Sequence, residues 1–461
     1  MHRYFFDVSG IRSHLRGHSH FTGIQRVVIM IASRTAKLVG RENTFFCYVD
    51  YRSGVVKSIC LDSISDLDLI NPSTLGRILG IRTSERYLAP ILKYRKKPIK
   101  YYFYRTMLDI YSIINWKKPF QRFGISIYNW RSMRKMRKNN VNIKPQDIKT
   151  SSSNSNIIIL LDSSWNEACC RAYEDLSMSN FVIYTMVHDL IPINTPQFVP
   201  INITIKFDIW INSSSRYTTK YISNSHYTKN DLIKYFASKQ IDIPIYCVPL
   251  AQEFVVGENR NNISVNYDMD SYHTNIDENI RSVSSYPYVL FVGTLETRKN
   301  VWRMAQAWDR LRHLRGVTVP RLILVGRPGW RNSEFNDLMS GTSNLYGWIE
   351  VINSPNDNEL EYLYKNCEFA IQVSLFEGWG LPVGEALSYG KTCVVANTTS
   401  LPEVGGDLVE YCDPQSVDSI EAACTKLIRD VDYRRSLEER IRNTRLRSWK
   451  DVASDMIMKI G

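Results

Sequence analysis

Short apolar runs and helical-period stretches alternate along this chain in two blocks. In the first block the runs are Arg3–Val8, Thr44–Val49, Ile157–Leu161, Phe181–Val187, Asp208–Asn212 and Ile245–Leu250. In the second they are Tyr288–Val292, Arg321–Val325, Ile349–Ile352, Phe369–Val373 and Thr392–Ala396. Continuous apolar runs of this length suit strands covered on both faces, as in a parallel sheet. Between them, Thr22-Gly23 opens a helix with Ile24, Val27, Val28 and Ile31 on one face. Asp208–Asn212 reads as a strand, with Ser213–Ser215 capping a helix after it. A helix from Val301 to about Arg315 carries Met304, Ala305, Trp308 and Leu311; Asp357–Asn366 is another, and helices fill most of 417–461.

This rhythm predicts an α/β protein with two doubly wound, Rossmann-like domains facing each other across a cleft. The expected boundaries are an N-terminal domain over 1–251, a polar linker over 252–286 and a C-terminal domain over 287–440. A final helix over 441–461 is expected to cross back to the first domain. Within the first domain, about 60–155 has little periodicity and ends in the Ser/Asn run Ser151–Asn156; it reads as an insertion.

Composition narrows the class. At 461 residues the chain exceeds a single core, and 44% apolar with 23% charged residues is ordinary for a globular protein. No run approaches the length of a membrane-spanning helix, and MHRYFFDVSG lacks the apolar core of a secretory signal. The nine cysteines are scattered, without CxxC spacing, so neither a zinc site nor a disulfide framework is expected and a reducing cytoplasm fits. The net charge of +12 is uneven: Arg86 to Lys144 holds 16 Lys/Arg against one acid, Asp109, so the rest is about −3. Aromatics are interleaved there: Tyr101-Tyr102-Phe103-Tyr104, Trp116, Phe120, Phe123, Tyr128 and Trp130. That mixture suits an anionic membrane surface; a solvated basic face is the plainer alternative, and nucleic acid or a polyanionic acceptor is the least favoured partner.

The chemistry gathers in Leu375–Lys391, LFEGWGLPVGEALSYGK. The pattern reads as strand, glycine-rich loop, helix and strand, with Pro382 in the first helical turn and Gly390 just past the last. Glycines ahead of a helix N-terminus leave free N–H groups and a positive dipole end for an anion. Glu377 and Glu385, in the loop and the first helical turns, can line one pocket, where carboxylates accept hydrogen bonds from sugar hydroxyls. Arg298 and Lys299, between a strand end and a helix, are fixed cations suited to a diphosphate. His188 and Asp189 follow another strand end, where ligands gather in open α/β sheets; a lone histidine there can equally be a structural hydrogen-bonder. Gly23, at a helix start, would let a diphosphate approach, though a packing role accounts for it equally well. Paired carboxylates also serve retaining hydrolases as acid and nucleophile. The anion loop and the Arg/Lys pair argue instead that these two bind.

FVGTLETRKN (291–300), LVGRPGW (324–330), FEGWGLPVGEAL (376–387) and SLPEVGG (400–406) together resemble the family 4 retaining glycosyltransferases of the GT-B fold. The resemblance covers about 287–450. In the first half it rests on FDVSG (6–10), TGIQRVV (22–28) and VHDLIPI (187–193). Within the family these pieces are most similar to bacterial polysaccharide and O-antigen mannosyl- or rhamnosyltransferases. The resemblance implies that Lys299 with Arg298 holds the donor diphosphate. It implies that Glu377 binds donor-sugar hydroxyls beside the backbone N–H groups of Gly378, Trp379 and Gly380. Leu381 and Pro382 would start the helix facing the phosphates, and Glu385 would grip the ribose. His188 would touch the donor sugar, and Gly23 would admit the diphosphate. Many relatives carry Arg where this chain has Thr294, so Arg298 would supply that charge.

The implied reaction is transfer of a hexose, mannose or rhamnose favoured, from a nucleotide diphosphate sugar to a lipid-linked or surface polysaccharide acceptor, with retention of configuration. A GDP-sugar is favoured over a dTDP- or UDP-sugar. No metal, no other cofactor and no nucleic acid are expected. The protein would be cytoplasmic and peripheral on the inner face of the cell membrane, through 86–144. The alternative is a non-catalytic nucleotide- or carbohydrate-binding scaffold of a polysaccharide assembly complex.

Overall fold

The computed structural model describes residues 2–18, 20–81, 94, 97–116, 118–121, 127, 130–131, 145–148, 155–163, 165–254, 276–353 and 355–460. Most of the expected linker (255–275) and much of the basic stretch 86–144 lie outside the described residues. The chain forms two compact units: Met1–Ser164 with Met178–Phe181, and Trp165–Ser177 with Val182–Gly461.

In the first unit the strands are β1 (Arg3–Asp7), β2 (Thr44–Val49), β3 (Val56–Cys60), β4 (Gln146–Asp147) and β5 (Asn156–Leu160), in the order β4-β3-β2-β1-β5. β1 pairs in parallel with β2 and β5, whereas β3 is antiparallel to both β2 and β4. Phe5 and Phe6 of β1 are fully buried, as a strand covered on both faces requires. The helix Gly23–Val39 starts where Thr22 predicts. The Gln25 amide donates to Thr22 Oγ1 at 3.4 Å, and the Thr22 amide donates to Gln25 Oε1 at 3.0 Å. Val27, Val28 and Ile31 are buried as expected. The described part of the insertion is largely helical. Its longest helix, Pro98–Ile113, packs Tyr101 and Leu108 against Phe120, Ile127 and Trp130.

The second unit contains β6 (Phe181–Val187) from Val182 onward, β7 (Lys220–Ser223) and β8 (Ile245–Cys247), adjacent and parallel. It also holds a six-stranded parallel sheet of β9 (Tyr288–Val292), β10 (Arg321–Val325), β11 (Ile349–Ile352), β12 (Phe369–Gln372), β13 (Cys393–Ala396) and β14 (Glu410–Cys412). The order β11-β10-β9-β12-β13-β14 runs outward both ways from β9, the doubly wound arrangement the alternation predicts. Its core packs helix Val301–Leu311, through Met304, Ala305, Trp308 and Leu311, with Leu322, Leu324 and Ile371. The last helix, Trp449–Ile460, lies against β6 and β8. Tyr184 Oη donates to the Ile460 carbonyl at 2.8 Å, and Lys459 Nζ to the Cys247 carbonyl at 2.6 Å.

One expectation fails outright. Asp208–Asn212 is not a strand; it lies inside the helix Ile201–Ser214. Five residues are too short a window to tell a buried strand from a helix. The wider pattern is helical: Phe207, Trp210, Ile211 and Ser214 are the buried positions, at intervals of three and four.

The SLPEVGG motif does structural work. Glu403 accepts from the His226 and Tyr227 amides, each at 2.7 Å, at the start of helix His226–Ser238. A carboxylate there satisfies orphan donors and complements the helix dipole. Glu403→Ala is therefore expected to cost about 1 kcal/mol. The readout is a melting temperature lower by ~1–3 °C; an unchanged value would show that the contact contributes nothing.

Candidate functional site

β9 and β12 are neighbours, so their carboxyl-terminal loops are adjacent too. The loop after β9 carries Glu296, Arg298 and Lys299; the loop after β12 carries Glu377. Backbone bonds tie them together. The Leu375 amide donates to the Arg298 carbonyl at 2.8 Å, and Asn300 Nδ2 donates to the Val373 carbonyl at 2.9 Å. Asn300 holds the left-handed conformation (φ 63°) between the cationic turn and helix Val301–Leu311. Small polar residues tolerate that conformation best.

The side chains form one buried charge cluster. Lys299 Nζ pairs with Glu377 Oε1. Arg298 Nη1 reaches Glu377 Oε2 at 3.1 Å and the Phe376 carbonyl at 2.7 Å, and Nη2 reaches Glu296 Oε1 at 2.7 Å. All four side chains are at most 14% exposed. Burial pushes the Glu377 carboxyl up, but Lys299 and Arg298 outweigh it and hold it down to about 2. Burial would lower Arg298, yet Glu377, Glu296 and Asp189 keep it raised and charged. Asp189 moves the other way: burial raises its carboxyl, against Arg298 and an N–H bond from Ile191 at 3.1 Å.

The other predicted positions lie on the strand end after β6, on the loop and helix that follow Glu377 and, for Gly23, in the first unit. His188 follows β6, and its carbonyl accepts from Thr228 Oγ1 at 3.4 Å. Gly378 packs directly on that carbonyl; a Cβ at 378 would stand 2.0 Å from the oxygen. Only glycine permits this approach. Gly380 sits at φ +108° as the N-cap of helix Leu381–Ser388, with Pro382 in its first turn. Trp379 is buried, and its indole N–H donates to the Ala251 carbonyl at 3.3 Å. Glu385 is buried one turn further on, where it accepts from Tyr364 Oη at 2.8 Å. Burial and Glu385 both raise the Tyr364 phenol, which therefore stays a donor. Gly23 lies in the first unit as the first residue of helix Gly23–Val39.

The structure joins Arg298, Lys299 and Glu377 directly and sets Gly378 on the His188 carbonyl; Trp379, Gly380, Leu381 and Glu385 follow along the same loop and helix, all within the second unit, whereas Gly23 lies in the first. Sequence reasoning missed three partners. Glu296 was visible as the acid two residues before Arg298. Asp189 was noted beside His188 but given no partner. Tyr364 carried no signal separating it from other helix tyrosines. Thr294 is exposed, and Arg298 is the guanidinium of this loop that reaches Glu377. Among the described residues no group of three or more His, Cys, Asp or Glu could hold a metal ion.

Comparison with known proteins defines the class first. The Anabaena protein HepE, solved in complex with UDP, aligns over 100% of this chain and 99% of its own, at 11% identity and a TM-score of 0.57. A glycosyltransferase from Rickettsia africae ESF-5 aligns over 99% of this chain and 97% of its own, at 13% identity and a TM-score of 0.53. At such identities the likeness speaks for the fold, and the fold is GT-B. Residues 273–444, which hold the charge cluster and both glutamates, match the family model of glycosyl transferases group 1. The O-antigen chain mannosyltransferase B of Escherichia coli is 36% identical over 172 residues, 37% of this chain and 44% of that protein. The serotype-specific mannosyltransferase WbdA of Escherichia coli is 20% identical over 275 residues, 60% of this chain and 33% of that protein. The chain therefore spans less than half the length of these relatives.

The depressed Glu377 carboxyl makes a pH prediction. Its folded pKa lies below the unfolded value of 4.5, so the native state binds fewer protons there and stability rises with pH. The contribution is complete above 4.5 and lost as pH falls towards 2. Between these limits wild type should lose more stability than Glu377→Gln in urea titrations. Parallel losses would contradict the pairing.

Proposed function

We propose that this protein is a retaining, metal-independent hexosyltransferase. It would move mannose or rhamnose from a nucleotide diphosphate sugar to a lipid-linked or surface polysaccharide acceptor. The observation that carries the reading is the Arg298–Lys299–Glu377 cluster at adjacent strand ends, with Glu377 on the loop before helix Leu381–Ser388, within the residues that match glycosyl transferases group 1. Fixed cations at that place stabilise negative charge as it builds on the departing diphosphate. They supply what a metal would otherwise supply. Glu377 and the diphosphate would share the same two cations, which puts the carboxylate within reach of the sugar hydroxyls. His188 and Asp189, whose backbone and Cβ pack on Gly378, would face the donor sugar, and Glu385, oriented by Tyr364, would take the ribose.

The names of the relatives support mannose, and with it a GDP-sugar; HepE itself was solved with UDP. A non-catalytic scaffold is not favoured, because the chain keeps the whole charged set. The basic stretch 86–144 would hold the protein on an anionic membrane beside a lipid-linked acceptor. No helix among the described residues is long and apolar enough to cross a membrane.

Lys299→Ala and Glu377→Ala should each lower donor turnover at least a hundredfold, as loss of one fixed electrostatic contact does. Glu385→Gln should act mainly on donor affinity. Full activity in both alanine variants would end the assignment. A thermal-shift screen of GDP, UDP and dTDP identifies the base, GDP being expected to stabilise most; a larger shift with UDP would overturn that preference.

A further inference from the structure

The helix Pro98–Ile113 has two apolar faces. One, through Tyr101 and Leu108, is fully buried against Phe120, Ile127 and Trp130. The other carries Ile99, Tyr102, Phe103, Ile110 and Ile113, which are 85%, 47%, 64%, 51% and 61% exposed. At the helical period these five fall within a sector of about 100°. Ile114 and Trp116 continue the patch past the helix end, at 60% and 49% exposed. A helix on the surface of a soluble protein normally turns its polar side outward, and a contiguous apolar patch of this kind marks an interaction site.

The charges around the patch choose the partner. Lys97, Lys100 and Lys118 are exposed at its two ends. Arg105 lies beside it, with its guanidinium 5.9 Å from the Tyr102 ring. The one acid of 86–144, Asp109, accepts from the indole N–H of the fully buried Trp130 at 2.8 Å, so it is held towards the packed side. Arg131 is also committed inward: it donates to the Ser112 carbonyl at 2.8 Å and to Asn115 Oδ1 at 3.2 Å, fixing the end of the helix. The outward surface is therefore apolar and aromatic with a cationic border. That combination matches the acyl boundary of a bilayer beneath anionic headgroups, whereas nucleic acid would use the charge and leave the isoleucines in water.

We infer that Pro98–Ile113 is an interfacial anchor. It lies in the plane of an anionic membrane, with Ile99, Phe103, Ile110 and Ile113 inserted and Lys97, Lys100 and Lys118 at the headgroups. This rests on the proposed membrane contact of 86–144 and adds that the contact is insertion of a defined face, not charge attraction alone. The two differ in salt sensitivity, since added salt screens the charges and leaves the apolar contact.

The test is co-sedimentation of the full-length chain with phosphatidylglycerol/phosphatidylethanolamine vesicles, at low salt and at about 0.5 M salt. Wild type should stay bound at high salt. Phe103→Ser combined with Ile110→Ser and Ile113→Ser should weaken binding more than tenfold and make the remainder salt-sensitive, with the melting temperature and hydrolysis of soluble donor unchanged. Phe103→Glu, a single change at an exposed position, is the second variant should the triple one fold poorly, and the same loss is expected. Wild-type binding that vanishes at high salt and matches the triple variant would overturn insertion and leave the charge-based contact standing. Absence of wild-type binding at any salt would overturn both. A wild-type dimer that the triple variant dissociates, without vesicle binding, would assign the face to self-association and overturn the inference.

Discussion

Everything at the proposed donor site depends on one buried charge cluster. Glu377 holds Lys299 and Arg298, and Arg298 also holds Glu296. Charges this far from water survive only when paired, and removing one partner of a buried pair costs on the order of 3–5 kcal/mol. The cluster therefore fixes the loop after β12 against the loop after β9 with little freedom. A backbone bond from the Leu375 amide to the Arg298 carbonyl repeats the same link through uncharged groups, and the Arg298 guanidinium adds a bond to the Phe376 carbonyl. A ligand anion would meet cations already aimed and desolvated, so little reorganisation remains to be done when charge develops.

The second half of the site is set by sterics. Gly378 lets the loop touch the His188 carbonyl, and Gly380 adopts a backbone conformation that starts the next helix abruptly. Helix Leu381–Ser388 then begins directly after the loop that carries Glu377 and places Glu385 on Tyr364. The two glutamates, eight residues apart, have different environments. Glu377 sits among cations, and its carboxyl is driven down to about 2. Glu385 accepts from the Tyr364 hydroxyl on the neighbouring helix.

The site was more legible in the sequence than parts of the fold. Strand ends, glycine-rich loops and helix starts are local, so Gly380, Pro382 and the two glutamates could be placed from the chain alone, and the helix ends before Gly390 as expected. The central strands β2, β6, β9 and β10 match their apolar runs residue for residue, because burial on both faces leaves little room for polar positions; the edge strand β11 matches its run too, although it is only partly buried. The edge strands β4 and β14, of two and three residues, carry no such run. Within the helix Ile201–Ser214, Ile, Trp and Ile inside five residues look like a strand until the wider period is counted. Glu296 and Tyr364 needed the third dimension: one meets its partner across a turn, the other across two elements.

The most direct test of the central claim is a structure of the protein with a bound nucleotide sugar or nucleoside diphosphate. The diphosphate oxygens should lie within hydrogen-bonding distance of Lys299 Nζ and the Arg298 guanidinium, with Glu377 turned to the sugar and Glu385 to the ribose. A diphosphate bound elsewhere, with the Lys299–Glu377 pair still closed, would contradict the account.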